Sequence, residues 1–320
     1  MPDRTTIIDT HQHAVPDFYV KALESIGENA SGERGLPEWT IEQSLDVMDR
    51  KGIRATVLSI SSPGVYFGDI AFTKPLVTQC NDYMAGLMGN HPGQIGALGQ
   101  VSLPDVESAC RDVEYALDSL KLDGISLLGH IGDQYLGSPD FDEFYAELDK
   151  RNAVVFVHPL RPPADGMPEF GFPRGFVELV FDTTRAIGNM LYYGITERFP
   201  NIRFVMSHAG GTTPILVTRF RRIENLPTVA ERLPGGVVKS LGSLYYDVVQ
   251  SALPATLRAL QDIAASDHVL FGTDYPFSRI GEKVIDETIE GVETFDGYDA
   301  EIREKIFQEN AVALFPKLAK

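Results

Sequence analysis

The chain has 320 residues, 43% apolar and 23% charged, with a formal charge of −17. That length suits one large α/β domain with a sizeable core. The acidic balance excludes nucleic acid and anionic membrane as partners, because phosphate binding needs basic patches.

A small anionic substrate stays compatible with this charge, since a few buried arginines reverse the field locally. Two scattered cysteines, Cys80 and Cys110, are too few for a disulfide framework. The polar start carries no apolar signal segment, and no apolar run reaches the roughly 18 residues of a membrane span. The expectation is a cytoplasmic protein.

The first β-branched run, residues 6–11, reads as a strand. A long connection follows over 14–40, with Gly27, Gly32, Gly35, Pro37 and Trp39. Apolar residues at helical spacing over 41–51 predict a helix that Gly52 closes. Strands are then expected at 55–61, 95–101 and 124–128, separated by helices at 77–89 and 105–120. Gly124, at the start of the fourth strand, reads as a helix C-cap. A helix at 141–151 leads to a fifth strand at 154–158, and a Pro- and Gly-rich connection over 159–175 follows it. One helix is expected over 177–198, stopped near Pro200 and Asn201. Strands at 203–208, 244–249 and 268–273 alternate with helices at 213–224 and 256–265, and an amphipathic helix over 301–315 closes the ring against strand one. Eight strand–helix units predict a (β/α)8 TIM barrel, read as one domain over residues 1–320. The long loops after strands one and five leave the C-terminal ends of strands, where barrels build active sites and lids.

Five ionisable residues fall at those strand ends. His11 and His13 close strand one in Asp9-Thr-His-Gln-His. Residues two apart on a strand share a face, so both imidazoles enter the barrel mouth together. His158 ends strand five, His208 ends strand six, and Asp274 ends strand eight. Alone, each histidine is an ordinary polar residue and Asp274 an ordinary helix cap. Together they form a ligand set for zinc, manganese or iron, because neutral imidazole and carboxylate suit all three.

The phrases around these residues carry a resemblance. Ile8-Asp-Thr-His-Gln-His-Ala-Val-Pro, Thr196-Glu-Arg-Phe-Pro-Asn, Ser207-His-Ala-Gly-Gly, Phe271-Gly-Thr-Asp-Tyr-Pro and Asn310-Ala-Val-Ala-Leu-Phe resemble the amidohydrolase superfamily. The branch is the one that holds aminocarboxymuconate-semialdehyde, γ-resorcylate and 6-methylsalicylate decarboxylases. Pro16-Asp-Phe-Tyr and Trp39-Thr-Ile-Glu-Gln-Ser look closest to the 6-methylsalicylate type. The resemblance implies that His11, His13, His158 and Asp274 bind one divalent metal, zinc first and manganese as the alternative. It implies that His208 is the catalytic histidine. Hydrolases of the superfamily with two metals bridge them by a lysine on strand four. Strand four here has none, and Lys121 precedes it at the opposite end. One metal is therefore expected.

The implied reaction is non-oxidative decarboxylation of a small hydroxyaromatic or unsaturated acid, with His208 and Asp274 handling the proton. Arg161 and Arg174 on the loop after strand five are candidates for the substrate carboxylate, as planar bidentate donors. Trp39, Tyr66, Phe67 and Phe170 are candidate apolar walls, and His130, after strand four, a candidate substrate contact. His91 and His268 sit at opposite strand ends and read as structural. Asp247 on strand seven either supports a ligand from behind or caps the barrel interior. Two other readings share the fold: a hydrolase or hydratase of a lactone, amide or unsaturated acid, and a binding protein without catalysis. By family analogy the chain is expected to form a homodimer.

Overall fold

The computed structural model describes residues 7–28, 35–162, 171–277 and 281–319. Eight parallel strands form one sheet in sequence order: β1 (Ile7–His13), β2 (Ile53–Ser59), β3 (Ile95–Gly99), β4 (Gly124–Leu128), β5 (Val154–His158), β6 (Arg203–Met206), β7 (Tyr245–Asp247) and β8 (Val269–Leu270). Neighbouring strands pair in parallel from β1 to β8. The seam between β8 and β1 closes through backbone bonds beyond the end of β8. Thr10 N donates to Phe271 O at 2.9 Å, Asp274 N to His11 O at 2.8 Å and His13 N to Tyr275 O at 2.8 Å. The chain thus folds as the (β/α)8 barrel that its alternating pattern predicts.

Two apolar layers hold the barrel. Ile8, Ala55, Val57, Leu98, Val154, Phe156, Val205 and Leu270 fill its inside, and the C-terminal residues Ala311, Leu314, Phe315 and Leu318 pack onto them. A larger layer lies between strands and helices and includes Val47, Met84, Ile125, Val155, Phe204 and Phe271. Alternate residues of β5 therefore face opposite layers, as a strand buried on both sides requires. Among the described residues, no helix is long and apolar enough to cross a membrane.

Several boundaries differ from expectation for local reasons. Helix α1 (Asp17–Ser25) lies inside the connection read as loop, with Tyr19 and Leu23 buried on one face. Helix α2 (Ile41–Lys51) ends as expected at Gly52, which is left-handed at φ 70°, and begins with a reciprocal cap between Thr40 and Gln43. Gly124 is not a helix cap. The left-handed residue at that helix end is Lys121, at φ 59°. Gly124 instead permits close strand packing, because a Cβ there would lie 2.5 Å from Val154 O. The helix expected over 177–198 is two, Gly175–Tyr193 and Ile195–Arg198, divided at left-handed Gly194. Helices at Pro227–Arg232, Gly236–Gly242 and Lys283–Thr294 were not expected. The loop over 159–175 falls partly outside the described residues, as does Phe170.

Candidate active site

The barrel's C-terminal mouth gathers all five predicted residues. Donor atoms of His11, His13, His158 and Asp274 lie within 4.8 Å of one another, and all four residues are buried. His158 arrives by plain alternation after Val154 and Phe156. His11 and His13 need more. Asp9 pairs with Thr56 but Gln12 with Leu58, so β1 holds one extra residue between them. That bulge reverses the alternation, turning His11 and His13 to the side already filled by Ile8. The His11 ring accordingly packs edge-on against inward-facing Phe156, centroids 4.8 Å apart. Gly272 makes room on the opposite side, since a Cβ there would sit 2.6 Å from the His11 Cβ.

His208 and Asp274 reach the mouth through strained backbone. Both have positive φ, 52° and 59°, which non-glycine residues adopt rarely. Ala209 and Gln250, at φ 55° and 52°, share the strain. Such outliers concentrate at functional sites, where surrounding structure holds them. Here the anchors are visible: Asp247 Oδ1 accepts from His208 N at 2.9 Å, and Gln250 Nε2 donates to Asp274 Oδ2 at 2.7 Å.

The hydrogen bonds orient the three rings alike. His11 Nδ1 donates to Asp247 Oδ2 at 2.9 Å. His158 Nδ1 lies 2.8 Å from Pro159 O, an acceptor only, so that nitrogen carries the proton; Ser61 Oγ stands 2.9 Å away. His13 Nδ1 meets Ser59 Oγ at 2.9 Å. All three Nε2 atoms consequently point inward. His11 Nε2 and His13 Nε2 are 3.0 Å apart. Asp274 Oδ1 lies 3.1 Å from His13 Nε2, 3.4 Å from His11 Nε2 and 3.9 Å from His158 Nε2. His158 Nε2 is buried without a hydrogen-bond partner.

Charge follows the same geometry. Burial favours the neutral His11 ring, but Asp247 and then Asp274 outweigh it and raise its pKa to about 10. Burial lowers His13 to about 4, and burial with the neighbouring imidazoles pushes His158 well below its usual range. Burial alone would raise Asp274, yet the His11, His13 and His208 side chains hold it far below the ordinary carboxylate range. The cluster thus collects positive charge between two carboxylates, while two neutral nitrogens face the same point. Three nitrogens and one oxygen, braced from behind by Asp247, Ser59 and Ser61, fit a divalent metal. His208 stands beside this set, its Nε2 3.7 Å from Asp274 Oδ2 and its buried Nδ1 unpartnered.

A cleft opens over the cluster, lined by His158, Arg161, His208, Gln250, Asp274 and Phe277, among others. Arg161 is the one cation among its described lining residues, which also include the acids Glu287 and Glu290. Arg174 stands at the start of helix Gly175–Tyr193 and does not line the cleft. Trp39 does not line it either: it lies in the outer core, its indole donating to Ser44 Oγ at 2.8 Å. Phe67 packs beside the cluster of Tyr19 and Leu23, and Tyr66 and His130 border a separate small cavity. His268 stacks on Tyr245 at 4.1 Å and His91 ends helix Ile70–Asn90. Gln250 escapes sequence reasoning altogether, because nothing about an isolated loop glutamine signals a contact to Asp274.

The amidohydrolase family profile matches residues 8–317. A 6-methylsalicylic acid decarboxylase of Penicillium expansum is 31% identical over 97% of this chain and 96% of its own. A crystal structure described as amidohydrolase II superposes with a TM-score of 0.87 at 30% identity, covering 97% of this chain and all of the other. A 5-carboxyvanillate decarboxylase of Novosphingobium aromaticivorans, complexed with manganese and 4-hydroxy-3-methoxy-5-nitrobenzoic acid, shares the fold. Its TM-score is 0.83 at 20% identity, over 97% of this chain and 96% of that one. With the profile spanning nearly the whole chain, this protein belongs to the amidohydrolase family.

Proposed function

We propose that this chain is a metal-dependent, non-oxidative decarboxylase of a small hydroxyaromatic acid. The observation that carries the proposal is the donor cluster of His11, His13, His158 and Asp274 beside a cleft lined by His158, Asp274, His208 and Arg161, the one cation among its described lining residues. The 6-methylsalicylate and 5-carboxyvanillate decarboxylases among its relatives support the same chemistry.

His11, His13, His158 and Asp274 would hold one divalent ion, zinc or manganese. When bound, such an ion supplies charge stabilisation for a carboxylate and an ortho oxygen. The rest is the chain's own work. Arg161 has no hydrogen bond or ion pair among the described residues and offers the substrate carboxylate a planar pair of donors. The bond from ring carbon to carboxylate breaks, carbon dioxide leaves, and a proton takes its place on the ring. His208 is the proton donor in this reading, because its Nε2 borders the cleft and its backbone is pinned by Asp247. Asp274, through Oδ2, is the partner with which His208 exchanges that proton.

The test is carbon dioxide release from a panel of ortho-hydroxybenzoates by wild type, His208→Asn and His208→Ala. Loss of about 100-fold or more in kcat is expected from removing a general acid. Near-wild-type release from both variants would sink the assigned role. Turnover of lactones without carbon dioxide from any acid would move the reading to a hydrolase built on the same site.

A further inference from the structure

Beside the main cleft lies a second cavity of about 40 Å³, lined by Pro63, Tyr66, Gln100, Ser126, Leu128, His130 and Leu160, among others. Its position is informative. Pro63 and Leu160 form walls of both cavities. Leu128 pairs directly with metal-site residue His158 across β4 and β5. Leu160 lies two residues after His158, so the two spaces adjoin beside the site.

The side cavity is built to be polar at one wall. His130 is 3% exposed, and its Nδ1 is engaged by Asp182 Oδ1 at 2.8 Å. Asp182 is wholly buried on helix Gly175–Tyr193, and its other oxygen accepts from Leu160 N at 2.9 Å. One carboxylate therefore ties the ends of β4 and β5 together and fixes the His130 ring. Because a carboxylate oxygen only accepts, Nδ1 carries the proton of that bond, and Nε2 is the ring nitrogen left for a ligand. No hydrogen bond among the described residues engages His130 Nε2. Gln100 spends its Nε2 on Ile60 O at 3.0 Å, which leaves its carbonyl oxygen, and among the described residues no hydrogen bond engages Ser126 Oγ. Three polar side chains, each at least nine-tenths buried, thus border the cavity with unused hydrogen-bonding capacity.

Size limits the occupant. Roughly 10–15 Å³ of such space holds one water, so the cavity takes a small substituent and not a ring. A hydroxyl group matches both the volume and the acceptors. We propose that this cavity is the subsite for a second hydroxyl on the aromatic acid, donating to His130 Nε2. The inference rests on the aromatic-acid reading above and narrows it to dihydroxylated rings. His130 is a specificity-determining residue in this account, and Asp182 a positioning residue behind it.

The test is equilibrium binding of salicylate and the four dihydroxybenzoates that retain its ortho hydroxyl, to metal-loaded protein, with carbon dioxide followed in parallel. One isomer is expected to bind wild type roughly fivefold more tightly than salicylate, the worth of one added hydrogen bond. His130→Phe should abolish that gain while binding salicylate within about twofold of wild type, and Asp182→Asn should weaken the gain without erasing it. His130→Gln, which keeps a polar group at the wall, should restore part of the gain and guards against a folding failure of the Phe variant. The proposal is overturned if no isomer gains, if the gain survives in His130→Phe, or if every ligand weakens equally. A gain intact in the absence of any carbon dioxide would instead overturn decarboxylation and leave the subsite standing.

Discussion

Asp274 divides its two oxygens between two neighbourhoods. Oδ1 faces the inward nitrogens of His11, His13 and His158, and Oδ2 takes the Gln250 amide at 2.7 Å with His208 nearby. Gln250 therefore decides which oxygen turns to the rings. Replacing it with leucine is expected to weaken metal affinity about tenfold, the usual lower bound for losing a group that orients a ligand. A competition titration against a chromogenic chelator would measure this, and unchanged affinity would show that Asp274 orients itself. Asp247 braces two residues at once, the His11 ring and the His208 backbone. Asp247→Ala should cost more than Ser59→Ala in the same titration, because it removes a buried charge partner rather than a neutral hydroxyl. These residues were unevenly legible in the sequence. His158 followed from counting along a strand. Asp247 drew attention as an acid on an inner strand, whereas Gln250 had no distinguishing feature.

At the scale of elements, backbone detail decides the site. The spacing of His11 and His13 correctly implied a shared face, but which face depended on the bulge after Asp9, and pairing register is not written in a single strand. The same holds for the positive φ at His208 and Asp274. Small residues at crowded points carry the remaining information. Gly272→Ala should press a methyl group against the His11 Cβ, lowering stability by roughly 1–3 kcal/mol and weakening metal binding together. Gly124→Ala, whose Cβ would meet Val154 O, should cost comparable stability yet leave metal affinity intact, since it lies at the far end of its strand. Denaturant unfolding paired with metal titration separates the two. Helix Lys283–Thr294 was readable in principle, from Val284, Ile285, Thr288, Ile289 and Val292 at helical spacing. Trp39 misled as a candidate wall, because a tryptophan in a loop-rich stretch fits a core as well as a cleft.

At the scale of the whole molecule, the alternating pattern made the barrel legible early, while its closure depends on the seam that also carries the site. β1 and the segment after β8 meet through Thr10, His11, Asp274 and Tyr275, and buried Asp9 accepts from Thr273 Oγ1 at 2.6 Å across the same joint. A bound ion would bridge that seam with His11, His13 and Asp274, and reach across to β5 through His158. Metal should therefore stabilise the entire fold. At a free metal concentration 1,000-fold above Kd, mass action adds about 4 kcal/mol. Removal with a chelator should lower Tm by several degrees, and re-addition should restore it. An unchanged Tm would argue that no ion binds across the joint. The most direct measurement of the central claim is carbon dioxide released from carboxyl-labelled 6-methylsalicylate and its hydroxylated analogues, by metal-stripped and metal-restored protein. The account predicts release that returns with one equivalent of metal and is lost in His11→Ala and His158→Ala. Release at equal rates with and without metal, or in those variants, would contradict it.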